Sequence, residues 1–130
     1  MIIAIPQLNY KAGDIQGNSE KIISAIQRAQ NQKAELILFP ELAVSGALPQ
    51  DLLEREEFVN ACRMAVEKIA ATCTQIAAIV GAPNLDSENG IMYNSAYFIQ
   101  HGEVVDGVHK NILSDYDSFS ESRYFIAGED

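Results

Sequence analysis

The run Leu36-Ile37-Leu38-Phe39, closed by Pro40 and followed at once by Glu41, constrains the fold of this chain more than any other stretch. A continuous apolar run of that length reads as a strand buried on both faces, which requires a sheet covered by helices or by another sheet. Proline cannot donate to the ladder, so the strand stops there. A carboxylate directly beyond such a stop projects from the strand's carboxyl end, where open α/β sheets hold their ligands. Taken by position alone, Glu41 reads equally as a site carboxylate and as a surface charge. Partly buried, it would suit a general base for a thiol or water.

The segments on either side of this strand place it in a layered domain. Residues 2–8 form a short apolar run with Pro6 near its end, a buried opening strand. A turn cluster, Gly13-Asp14-Ile15-Gln16-Gly17-Asn18, comes next, and Asn18 is expected to cap a helix reaching about Gln32, with Ile22, Ile23, Ile26 and Ala29 at helical spacing. A loop with Ser45-Gly46 and Pro49 leads to an amphipathic helix from about Glu56 to Cys73, and residues 76–81 form a third buried strand. After a turn-rich stretch, 83–90, residues 93–99 and 103–110 flank Gln100-His101-Gly102 as an antiparallel hairpin. The order strand, helix, strand, helix, strand, hairpin predicts an α/β fold with a mixed sheet. From Asn111 onward the chain is polar and aromatic without periodicity, an irregular segment of the kind that carries function more often than scaffold.

Composition excludes several function classes. With 9 Lys+Arg against 18 Asp+Glu the formal charge is −9, and the basic residues are scattered singly, so neither a phosphate backbone nor an anionic lipid surface is an expected partner. No apolar run approaches the ~18 residues of a membrane helix, and the start Met1-Ile2-Ile3-Ala4-Ile5-Pro6 lacks a basic flank and a cleavage site, so a cytoplasmic location is expected. The turn cluster at 13–18 lacks the Lys-Ser/Thr of a phosphate loop. The acidic stretch Asp115-Tyr116-Asp117-Ser118-Phe119-Ser120-Glu121 has Ser120 where a calcium loop needs glycine and Ile126 where it needs a bidentate carboxylate. His101 and His109 have no His or Cys at ligand spacing, so no metal is expected. His101 reads as a solvated turn residue, and His109 as a surface or packing residue ahead of a pocket wall. Cys62 and Cys73 stand 11 positions apart on one helix stripe with Phe58, Ala65 and Ile69, roughly 16 Å from each other at 1.5 Å per residue. That is too far for a disulfide, and both read as core residues.

Lys110 closes the last strand of the hairpin. Alone, such a lysine is usually solvated; beside a carboxylate it can stay charged and donate to a developing oxyanion. The local strings supply the missing context. Phe39-Pro40-Glu41-Leu42-Ala43-Val44-Ser45-Gly46 resembles the first signature of the nitrilase (carbon-nitrogen hydrolase) superfamily, whose glutamate is the general base. Val108-His109-Lys110-Asn111-Ile112-Leu113 with Phe119-Ser120-Glu121-Ser122-Arg123-Tyr124-Phe125 resembles the second, which supplies the active-site lysine and a supporting glutamate. The separation of 69 positions between Glu41 and Lys110 also fits. Within the superfamily the 13–18 cluster, Leu48-Pro49-Gln50-Asp51-Leu52-Leu53, and the segment from Asp115-Tyr116 to Tyr124-Phe125 are similar to the glutaminase domain of glutamine-dependent NAD synthetases. A free-standing amidase shares the two main signatures and is the second reading.

The resemblance implies the following. The fold is the front portion of a four-layer α-β-β-α sandwich, with one sheet face left for a partner sheet about 10 Å away. The substrate is a small-molecule amide, glutamine, attacked by a cysteine thiolate; Glu41 takes the thiol proton, Lys110 stabilises the oxyanion, Glu121 orients Lys110, and Tyr116 lines the substrate pocket. No cofactor is needed for amide hydrolysis; ATP and magnesium belong to a separate synthetase domain, and the full-length relatives are expected to be homo-oligomers. Two departures bear on the pocket: Ala47 stands where that branch usually has tyrosine, and Ser114-Asp115 where Pro-Asn is common. The family's nucleophile lies beyond the lysine, and no cysteine follows Lys110. Residues 1–130 are therefore expected to be the N-terminal part of such a domain, inactive alone and prone to associate or bind hydrophobic dyes. The rival from another class is a non-catalytic assembly module in which Glu41 and Lys110 form a structural ion pair.

Overall fold

The computed structural model describes residues 1–47, 50–113 and 121–128. Among them, β1 (Ile3–Ala4), β2 (Leu36–Leu38), β3 (Ala77–Asp86), β4 (Ile91–Gln100) and β5 (Glu103–His109) form one sheet in the order β1-β2-β3-β4-β5. The first three strands run parallel and the last two pairings are antiparallel, a mixed sheet as expected. The parallel strands are joined by α1 (Ile15–Asn31) and α2 (Glu56–Thr72). Right-handed crossovers between adjacent parallel strands, all stepping the same way, put both helices on one face.

That face is the core. Ile22, Ile26, Cys62 and Ile69 from the helices and Ile37, Val80 and Ile99 from the strands are fully enclosed. Each contributes about 1.5–3 kcal/mol through burial if a side chain of that size is withdrawn from water. Along β3 the helix-facing positions are Ala78, Val80 and Ala82, and the alternate ones, Ala77 and Ile79, face away. On that other face Leu36, Leu38 and Phe98 are half-buried, while Ile3 and Val108 are 46% and 64% exposed.

Element boundaries depart from expectation in three places. The opening strand is two residues long rather than seven, because Ile3 and Ala4 alone find partners on β2 and Pro6 cannot donate. β3 does not stop at Gly81 but continues to Asp86, so 83–86 is strand and the turn is confined to residues 87–90. Pro83 is tolerated because its partner Asn94 turns its carbonyl to Lys110 at 2.8 Å. The proline's missing N–H thus points to the other side, where β2 has ended. Finally, Asp14 rather than Asn18 caps α1, accepting from the Gly17 N–H at 3.0 Å.

Asn18 does something else. Fully buried, it accepts from the Lys11 N–H at 2.9 Å and donates to Lys11 O at 2.8 Å and Val44 O at 3.1 Å. It thereby staples the loop before α1 to the turn after β2, and Gly13 N–H adds a bond to Ser45 O at 2.8 Å. Both cysteines are buried thiols as expected, with Cys73 closing α2 as its C-cap.

Candidate active site

Glu41 begins the turn that follows β2, and its backbone rests directly on β3. A side chain at Gly81 would bring its Cβ within 2.6 Å of Pro40 O and Leu42 N and 2.7 Å of Glu41 Cα. Only glycine permits this approach. The turn is tight enough to hold Leu42 at φ +53, a left-handed conformation uncommon for a residue with a side chain. Val44 N–H bonds to Gly81 O at 3.2 Å and completes the attachment.

Lys110 arrives from the end of β5. Strands β2 and β5 point the same way in the sheet, so their carboxyl ends lie at one edge, where sheet folds of this kind hold ligands. Lys110 Nζ lies 3.0 Å from Glu41 Oε2 and 2.7 Å from Glu121 Oε1. Glu121 is brought back by a short 3-10 turn, Glu121–Arg123, and by the segment after it. Phe125 N–H bonds to Glu121 O, Ile126 N–H to Met92 O and Gly128 N–H to Lys110 O, docking that segment along the ends of β4 and β5. The three charged residues singled out in the sequence therefore meet. Tyr116 lies outside the described residues.

The three differ in exposure. Glu121 is 8% exposed at its side chain, Lys110 27% and Glu41 59%. Burial lowers the Lys110 pKa, but hydrogen bonds and charge from Glu121 and Glu41 outweigh it, and the ammonium is held above its usual range. Lys110 is consequently a fixed cation in the neutral range, suited to donate to an oxyanion and unsuited to act as a base.

Sequence reasoning missed Asn94. It is 2% exposed, and its Nδ2 donates to Glu41 Oε2 at 3.2 Å and to Glu121 Oε2 at 3.1 Å. An asparagine inside an expected strand was the available signal, since the residue is depleted in strands. His109 proves to be both packing and wall. Its ring stacks on Tyr93 with centroids 4.0 Å apart and its Nδ1 lies 2.6 Å from Ser95 Oγ. With Phe39, Glu41, Asn94 and Lys110 it also lines a cavity of about 300 Å³. His101 sits exposed in the β4–β5 turn, as expected. Neither cysteine approaches this site as a nucleophile: burial pushes the Cys62 thiol up to about 12 and the Cys73 thiol to about 11, and both are enclosed by the helical core. Among the described residues no cluster of three His, Cys, Asp or Glu could hold a metal ion.

The model of the carbon-nitrogen hydrolase family matches residues 2–130. This chain belongs to the carbon-nitrogen hydrolase family. Within it, the chain is 40% identical over 124 residues to a glutamine-dependent NAD(+) synthetase of Xylella fastidiosa, covering 95% of this chain and 22% of that one. The corresponding enzyme of Aquifex aeolicus is 36% identical over 130 residues, with 98% and 22% covered. Among solved structures, the glutamine-dependent NAD+ synthetase of Acinetobacter baumannii, in complex with ADP, superposes with a TM-score of 0.91 at 34% identity over 98% of this chain and 24% of its own. An amidase of Nesterenkonia sp. AN1, whose double mutant was solved with acrylamide, superposes at 0.83 with 29% identity over 98% and 48%. This carbon-nitrogen hydrolase chain thus spans about a fifth of the length of the synthetases it matches and about half of the amidase. The α/β fold with its mixed sheet is the one these family members share. Among the described residues no helix is long and apolar enough to cross a membrane.

Proposed function

We propose that these residues supply the base and the oxyanion cation of a site that releases ammonia from the side-chain amide of glutamine, to feed amidation of deamido-NAD by a synthetase domain. The observation that carries this reading is Lys110 Nζ bonded between Glu41 and Glu121 at the carboxyl edge of the sheet, beside the cavity. A cysteine sulfur adds to the amide carbon after Glu41 has taken its proton, and Lys110 donates to the resulting oxyanion. Collapse returns that proton to the leaving nitrogen, and ammonia departs from a thioester. Water, deprotonated by Glu41, then adds to the thioester carbon; glutamate leaves and the thiol regains its proton. Glu121 orients Lys110.

The nucleophile in this reading is neither Cys62 nor Cys73, so residues 1–130 act as the N-terminal part of the domain and do not turn over alone. Amide hydrolysis itself needs no cofactor; ATP and magnesium serve the synthetase step. The enzyme is cytoplasmic and homo-oligomeric. The likeness to the Nesterenkonia amidase favours a second reading, hydrolysis of a small free amide with no coupled synthesis. Ala47, in place of a bulkier pocket residue, bears on that choice.

Ammonia release from glutamine and from short aliphatic amides, measured on the protein as its gene encodes it, separates the two. Glutamine turnover with loss of about 10²–10⁴-fold in Glu41→Gln and Lys110→Met is the expected result. Cysteine-dependent release from the 130 residues alone, or an unimpaired Glu41→Gln enzyme, would overturn the proposal.

A further inference from the structure

We infer that Asn94 is a positioning residue of this site, one that holds Glu41 and Glu121 on either side of Lys110 and so leaves an ammonium N–H for the substrate oxyanion. The inference rests on the Glu41–Lys110 reading above and adds to it a residue with no charge and no proton to exchange. Its geometry is specific. One nitrogen, Nδ2, donates to Glu41 Oε2 at 3.2 Å and to Glu121 Oε2 at 3.1 Å, while Lys110 Nζ reaches Glu41 Oε2 at 3.0 Å and Glu121 Oε1 at 2.7 Å. The two donors and two carboxylates close a ring. Turned over, the amide would present its oxygen to both carboxylates, so the arrangement admits one orientation.

The chemistry of the ring explains why an amide is there. Two carboxylates at one ammonium leave the cluster with a net negative charge, and mutual repulsion drives them apart unless neutral donors bridge them. Asn94 supplies two N–H groups from one atom without adding charge. Aspartate at this position would put a third carboxylate where the other two converge, and serine would offer a single donor. The backbone enforces the same alignment, since Asn94 O accepts from the Lys110 N–H at 2.8 Å. Strand register and side-chain ring are therefore locked together. Glu41 depends on this more than Glu121 does, because its side chain is 59% exposed and, among the described residues, Lys110 is its other side-chain partner. Nζ reaches three carboxylate oxygens, Glu121 Oε1 at 2.7 Å and Glu41 Oε2 and Oε1 at 3.0 and 3.4 Å; on the inference, one of its three hydrogens serves each carboxylate and the third serves a substrate atom.

The test reads nuclear resonances in the isotope-labelled protein as its gene encodes it, with no substrate present, so a failed hydrolysis assay and a failed ring are distinguishable. In Glu41→Gln and in Glu121→Gln, both close in shape to the parent, one Asn94 side-chain amide proton is expected to shift in the first variant and the other in the second. In Asn94→Ala the Lys110 ammonium is expected to titrate at lower pH than in the parent because Glu41 is released, with Asn94→Ser in between. A residue with only a packing role would lower the melting temperature and leave the lysine titration where it was. Asn94 amide protons unmoved by both glutamine variants would overturn the inference. So would an unchanged or raised Lys110 midpoint in folded Asn94→Ser.

Discussion

Val80 on β3 and Val108 on β5 are the same residue type in the same sheet, yet Val80 is wholly enclosed and Val108 is 64% exposed. Val80 faces the layer of α1 and α2 and belongs to the same buried core as Ile37, Ile69 and Ile99. Val108 faces the opposite side, with Ile3, half-buried Leu38 and Phe98, and the polar ring of Glu41, Asn94 and Lys110 at its edge. The helix-covered face supplies stability through close packing. The other combines exposed apolar surface with charged groups that cannot bury each other cheaply, and under the proposed function it is the face that would take a partner layer and the substrate.

The contrast can be broken at its strong side first. Ile37→Ala, on the covered face at 0% exposure, is expected to cost about 2–5 kcal/mol in urea denaturation, because the space left behind cannot fully collapse. Lys110→Met is expected to cost less, about 1–2 kcal/mol, since the lysine's partners are unequally exposed and solvent screens the outer one. Its pH dependence carries the sign. The folded-state value of Lys110 is raised above 10.5, so the stabilisation is fully present below 10.5 and is lost as pH climbs through the folded value. The gap between parent and Lys110→Met melting temperatures should therefore stay constant through the neutral range and close only in strong alkali.

On the open face, Val108→Ser is expected to change stability by no more than about 0.5 kcal/mol. The same substitution should weaken binding of anilinonaphthalene sulfonate or self-association of the 130-residue chain, measured by fluorescence and by light scattering. A compact, dye-silent monomer would remove the case that this face awaits a covering layer. The smallest effect is at the thiols. With values near 12 and 11, Cys62 and Cys73 are about one part in 10³ thiolate or less in mildly alkaline buffer. A disulfide exchange reagent should register no thiol in the native protein and two after unfolding.

Much of this was legible in the residues because local rules sufficed. The apolar run ending at Pro40, the helical spacing of Ile22 and Ile26, and the Gln100-His101-Gly102 turn each signal an element within a few residues, and those elements are present. Boundaries failed where a partner strand decided them: β1 is short and β3 long because pairing with β2 and β4 begins and ends where it does. Asn18 was misassigned for a similar reason. Its side chain is directed across to Val44, and no local pattern announces a partner 26 positions away.

The sequence by itself determined the α/β class, the mixed sheet and the family signatures, and it singled out Glu41, Lys110 and Glu121 as candidates, since each follows from short-range pattern or from motif. Only the tertiary structure decided that those charges converge on one ammonium, that Asn94 bridges them, and that Gly81 must lack a side chain for Glu41 to reach them. Those facts depend on strand register and on contacts between 11 and 69 positions apart in the chain. Such contacts are set by the whole sheet, and a single residue's neighbours in sequence carry no record of them.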